Sequence, residues 1–160
     1  MPEEKTFTES EAQLHFAKQF YNKTWKLLDK QERTQEENEL LVDYAHASLA
    51  HWRVAGTGVN LQRGAWMLAR VNTVLGNTQL ALQCAQRCLE LTEQYKEQLS
   101  DFDFAFAYEC VARAHALAGN QAEAQKYVDM ADQAGAAIRD EEDRQIFFDD
   151  FNCGDWYGIK

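Results

Sequence analysis

The chain has little that would interrupt a helix. It contains a single proline, Pro2, and eight glycines spread thinly along 160 residues. Proline breaks helices and glycine punctuates them, so their scarcity, beside abundant Ala, Leu, Gln and Glu, favours long helices. No stretch alternates apolar and polar residues long enough to predict a strand. No apolar run approaches the roughly 20 residues that a membrane-crossing helix needs. The opening segment MPEEKTFTESE is acidic and polar, without the basic start and apolar run of a secretory signal. These absences predict an all-α protein that does not cross a membrane, with the cytoplasm as its expected compartment.

Cysteine pairs of the CxxC kind are also missing, which removes zinc-ribbon and thioredoxin-type motifs. The four cysteines stand at 84, 88, 110 and 153. Cys84 and Cys88 are one helical turn apart, but no nearby His or Cys completes a metal-ligand set. They are expected as small buried thiols in a helical core, and no cofactor or metal is expected.

Positive charge is scarce. The formal net charge is −10, which argues against nucleic-acid binding, since that needs a basic face to displace counterions. The acids are unevenly placed: between Asp43 and Glu90 there is none, while that window holds Arg53, Arg63, Arg70 and Arg87 with His46 and His51. A basic middle in an acidic chain has two readings. It pairs with acids of neighbouring helices, or it forms a site for an anionic partner.

Helical periodicity divides the chain into six helices and a C-terminal cap. They are expected over about 8–30, 36–54, 61–75, 78–98, 102–118 and 121–137, followed by a shorter helix over about 140–151. Thr8 with Glu11 has capping-box spacing. Gly56 and Gly58 are expected to end the second helix. Gly76-Asn77 and Gly119-Asn120 are expected as tight stops. The acidic run DEED suits the start of the last helix, where it complements the dipole.

Two segments, AWMLARVNTVLGNTQLALQCAQRCLEL over 65–91 and AYECVARAHALAGNQAEAQKYVDMA over 107–131, repeat at an offset of 43 residues when Gly76 is matched with Gly119. Each reads as a helix, Gly-Asn, and a second helix with small residues seven apart, Ala81 and Cys88 in one, Ala124 and Ala131 in the other. On these residues the chain resembles the tetratricopeptide repeat family of 34-residue helix-turn-helix units. The units span about 62–95 and 105–138. The family's helix A tyrosine is Asn72 in one and His115 in the other, the closing proline is missing from both, and nine extra residues separate them. The excess predicts a fourth helix about two turns longer than usual. Residues 8–55 would form a degenerate first pair, and 140–160 a capping helix with an aromatic tail, within one domain over 1–160. Stacked pairs of this kind need about three units to bury their faces.

The resemblance implies a short right-handed superhelix whose A helices line a concave groove. Carried over residue by residue, the groove-facing positions include Arg63, Trp66 and Arg70 in the first unit, and Phe106, Glu109 and Arg113 in the second. Guanidinium groups flanking an aromatic suit a carboxylate, which Arg engages bidentately. The expected function is therefore a non-enzymatic adaptor that holds a protein or peptide segment, acidic in character. The alternatives are a small-molecule or anion sensor in the same basic pocket, and a self-associating module. The same arginines could instead pair with Glu109, Asp103 or the acidic C-terminal stretch. The tail FNCGDWYGIK is too apolar to be a loose solvated end. It could cap the array, lie in the groove, or join a second copy as a homodimer.

Catalytic signatures are absent. There is no HExxH, G-x-S-x-G, P-loop or GxGxxG motif. His46 and His51 are five apart and face different ways on a helix. Cys110 and His115 share that spacing, which does not make a dyad. His115 is expected to be packed and hydrogen-bonded, and no enzymatic activity is expected.

Overall fold

The computed structural model describes residues 1–160 as seven α-helices without a strand. They are α1 Glu9–Leu28, α2 Gln35–Ala55, α3 Gly58–Val74, α4 Thr78–Gln94, α5 Asp101–Ala118, α6 Gln121–Ala136 and α7 Glu141–Phe151. Neighbours in sequence pack as antiparallel pairs, α1 on α2, α3 on α4 and α5 on α6, with α7 laid over α5 and α6. No helix is long and apolar enough to cross a membrane.

Local chemistry explains most of the boundaries. Thr8 and Glu11 form the expected reciprocal cap of α1, and Thr34 with Glu37 does the same for α2. Each pair satisfies two backbone N–H groups that a helix start leaves without a partner. Asp103 accepts from the Ser100 N–H at the start of α5, and the Asp140 carboxylate from the Asp143 N–H at the start of α7. The Gly-Asn stops are built alike. Gly76 and Gly119 take left-handed φ values of 75° and 78°. The next N–H bonds five residues back, Asn77 to Asn72 O at 2.8 Å and Asn120 to His115 O at 2.9 Å. That backward bond is the Schellman closure, which favours glycine at its left-handed position.

Two expectations are corrected. Gly58 does not end α2. Gly56 is the C-cap, and Gly58 opens α3, where Asn60 Oδ1 accepts from Thr57 N at 3.0 Å. The fourth helix is not lengthened either. It stops at Gln94 after 17 residues, and the extra chain forms the turn from 95 to 100. Both corrections share a cause. The Tyr95 ring fills the space where a Cβ on Gly58 would lie, 2.2 Å from its Cδ1. This contact holds the end of α4 against the start of α3.

The core forms in two parts with α5 in both. One joins α2 through α5 around Leu41, Leu49, Met67, Val71 and Leu91. The other joins α5 and α6 to α7 and the tail around Val128, Ile138, Phe147, Phe151 and Trp156. Ala81, Cys88, Ala124 and Ala131, the small residues of the repeat, are fully buried at the helix crossings. In the first pair the fully buried small residues seven apart are Ala17 and Thr24, on its first helix rather than its second. Gly135 admits α7: a Cβ there would stand 2.3 Å from the Phe147 ring.

Candidate functional site

The odd-numbered helices share one side of the molecule, and an aromatic series runs across it. Trp25 of α1 stacks on Trp66 of α3 at 5.5 Å between ring centroids. Trp66 meets Phe106 of α5 edge to face at 5.6 Å, and Phe106 meets Phe147 of α7 in the same way at 5.0 Å. Edge-to-face and offset contacts at these spacings are favourable because the ring edge is positive and the face negative.

Where the series is exposed it lines a pocket of about 300 Å³. Tyr21 and Trp25 form one wall, Trp66 the floor, and Phe102 and Phe106 the other wall, while Ile146 of α7 stands at the mouth, 54% exposed. Arg63 lies at the edge over the Phe102 ring, 5.1 Å from its centroid. It makes a two-pronged pair with Asp103, Nε to Oδ1 at 2.9 Å and Nη2 to Oδ2 at 3.1 Å. This bonding raises the Arg63 pKa, against the lowering effect of burial.

Beyond the pocket the same face carries a buried ionic cluster. Glu109 and Arg113, one turn apart on α5, pair at 3.0 Å, and both are essentially removed from solvent. Arg70 of α3 lies 3.7 Å from Glu109 and 3.6 Å from Asp150 of α7. The Trp66 indole N–H donates to Glu109 at 3.4 Å. Burial pushes the Glu109 carboxyl up, and the positive charges of Arg113 and Arg70 pull against it.

Arg113 also receives the tail. Its Nη2 donates to the carbonyls of Asp150 at 2.8 Å and Cys153 at 2.9 Å, and its plane lies 4.2 Å from the Trp156 ring centroid. The Asp150 carbonyl lies in the last turn of α7, at the negative end of the helix dipole, where a guanidinium is favourable. Tyr157 crosses back to α3, where its hydroxyl donates to Thr73 O at 3.3 Å. The tail therefore lies along its own chain. Trp156 is buried there, with its indole N–H on Phe151 O.

All six residues singled out in the sequence, Arg63, Trp66, Arg70, Phe106, Glu109 and Arg113, come together on this face. The expected basic character does not follow. The three guanidinium groups meet Asp103, Glu109 and Asp150 of the same chain. An acidic partner would have to displace them, because no free arginine faces the pocket. The contributions of Tyr21, Trp25 and Ile146 were missed. Tyr21 and Trp25 lie in the pair that did not align with the repeat, and Ile146 lies in the cap.

His51 and His115 have structural partners, and three of the four thiols are withdrawn from solvent. His51 Nδ1 lies 2.6 Å from Gln13 Oε1, and His115 stacks on Tyr127. Cys88 and Cys110 are buried, Cys84 is half-buried, and burial raises the pKa of Cys84 and Cys110. Raised values disfavour the reactive thiolate. No family model, curated protein or solved structure matches the chain.

Proposed function

We propose that the protein is a non-enzymatic interaction module of the tetratricopeptide type, working in the cytoplasm, that holds a peptide or protein segment in the pocket between α1, α3, α5 and α7. The observation that carries this reading is the open, aromatic-walled pocket itself, assembled from successive odd-numbered helices. Aromatic side chains contribute strongly to interface energy, and a preformed pocket anchors an inserted side chain. Arg63 pairs with Asp103 and Arg113 with Glu109, so these four charged groups are engaged within the chain. The open mouth at Ile146 favours a segment over an enclosed small molecule. Four free cysteines suit a reducing compartment.

The test is affinity capture from a lysate of the source cell with wild type, Ile146→Arg and Leu80→Arg. Ile146 stands at the mouth, and Leu80, also exposed, lies on α4 outside the pocket. A partner held by wild type and by Leu80→Arg but lost by Ile146→Arg supports the reading. Equal capture by all three would remove the pocket from the account.

A further inference from the structure

The charge around the pocket is distributed in a way that its arginines conceal. Ile146 is the exposed apolar residue that α7 contributes to the mouth. Residues three and four positions away on a helix share its face. For Ile146 these are Glu142, Asp143, Asp149 and Asp150, all acidic. Asp150 faces Arg70. Glu142, Asp143 and Asp149 make no ion pair, and Glu142 and Asp149 are exposed. The base of α7, Arg144, points elsewhere and donates to Ile138 O at 2.9 Å.

The other edges do not offset this. On α1 the exposed charges nearest Tyr21 and Trp25 by helical spacing are Lys18 and Asp29, which cancel. On α3 and α5 the charged groups at the pocket are Arg63 and Asp103, already paired in two-pronged fashion. The mouth is thus apolar within and negative along its α7 rim. The whole chain carries a net charge of −10 in the same sense.

Resting on the interaction-module reading, we infer that the pocket's occupant is a basic segment, one that inserts an aromatic or large aliphatic side chain between Tyr21, Trp25, Trp66, Phe102 and Phe106 and lays flanking Lys or Arg along the α7 rim. The apolar anchor supplies affinity through burial. The flanking charges supply partner choice and faster encounter. An acidic segment with the same anchor meets Glu142, Asp143 and Asp149, and the arginines that would receive it are occupied. The sign of the preferred partner is the reverse of the one that the arginine content suggests.

A random-sequence peptide library displayed on phage, selected against the full-length protein, tests this directly. The expected winners combine one aromatic or large aliphatic residue with neighbouring Lys or Arg. A synthesised winner is expected to bind Glu142→Lys/Asp149→Lys about tenfold more weakly than wild type, with a smaller dependence on salt. Both substituted positions are exposed, and circular dichroism checks that the variant is folded. Winners that carry an apolar anchor among acids, and that are lost by Ile146→Arg, would overturn the inference while leaving the interaction module standing. Winners that bind Ile146→Arg as well as wild type, or no winners, would overturn both.

Discussion

At the scale of single residues the main feature is Arg113, a buried guanidinium with a buried carboxylate on one side and helix-end carbonyls on the other. Removing one member of such a pair leaves a charge without compensation, which typically costs about 3–5 kcal/mol. Arg113→Ala is therefore expected to lose that much stability in urea unfolding. It is also expected to expose Trp156, seen as a red shift of its emission. Glu109 adds a pH dependence of definite sign. Its carboxyl is raised in the folded protein, so the folded state binds its proton more tightly than the unfolded chain does. Its contribution is greatest below the ordinary carboxyl value of 4.5 and declines as pH rises through the folded value. The stability of wild type relative to Glu109→Gln should fall as pH is raised from that range, followed by denaturant titration at a series of pH values. A rising difference would mean that the arginines outweigh burial.

Residue scale is also where the repeat was hardest to read. Asn72 and His115 are equivalent positions of the two repeated segments but differ in residue type. The two do one job. Asn72 Oδ1 accepts from Asn77 Nδ2 at 3.1 Å, and His115 Nδ1 lies 3.1 Å from Asn120 Nδ2. Each ties the turn asparagine five residues on, across the Schellman closure. The Gly-Asn stops were legible because left-handed geometry favours glycine. The side chain that steadies each stop was not, because two different residue types meet the same need.

At the scale of elements, what local chemistry controls was legible and what tertiary contact controls was not. The Thr8–Glu11 capping box and the two Gly-Asn turns placed the start of α1, the ends of α3 and α5, and the starts of α4 and α6. The end of α4 is set by Tyr95 against Gly58, a contact that no spacing along the chain reveals. The seam between α3 and the tail supplies a test of its own. Thr73 is buried on α3, and its hydroxyl has no hydrogen-bond partner, as is true of Asp150 Oδ2 nearby on α7. A buried polar atom without a partner costs about 1–3 kcal/mol, and an apolar replacement of the same shape removes that cost. Thr73→Val is expected to match or exceed wild-type stability by about 1 kcal/mol, read from the urea midpoint. A clear loss would show that the hydroxyl is satisfied after all.

At the scale of the molecule, six of the site residues were legible because they occupy one face of two repeated helices. The pocket's charge was not, because it depends on which acids fold back onto the arginines. The sequence allowed both readings of the basic middle, pairing or a free site. Asp103, Glu109 and Asp150 occupy the arginines, and Glu142, Asp143 and Asp149 of α7, which make no ion pair, lie three or four residues from Ile146. The tail lies along α5 and α3 of its own chain, so α7 and the tail close one end of the aromatic face and leave the other open.

The central claim is that partners enter the pocket between α1, α3, α5 and α7. Four tryptophans make it testable, since Trp25 and Trp66 line that pocket while Trp156 of the tail is buried against α7 and Trp52 lies on α2. The direct measurement is the indole N–H spectrum of ¹⁵N-labelled protein as a library-selected peptide is added. The account predicts that the Trp25 and Trp66 signals move together and saturate while those of Trp52 and Trp156 stay in place. Movement of Trp52 or Trp156 with Trp25 and Trp66 unchanged would contradict it.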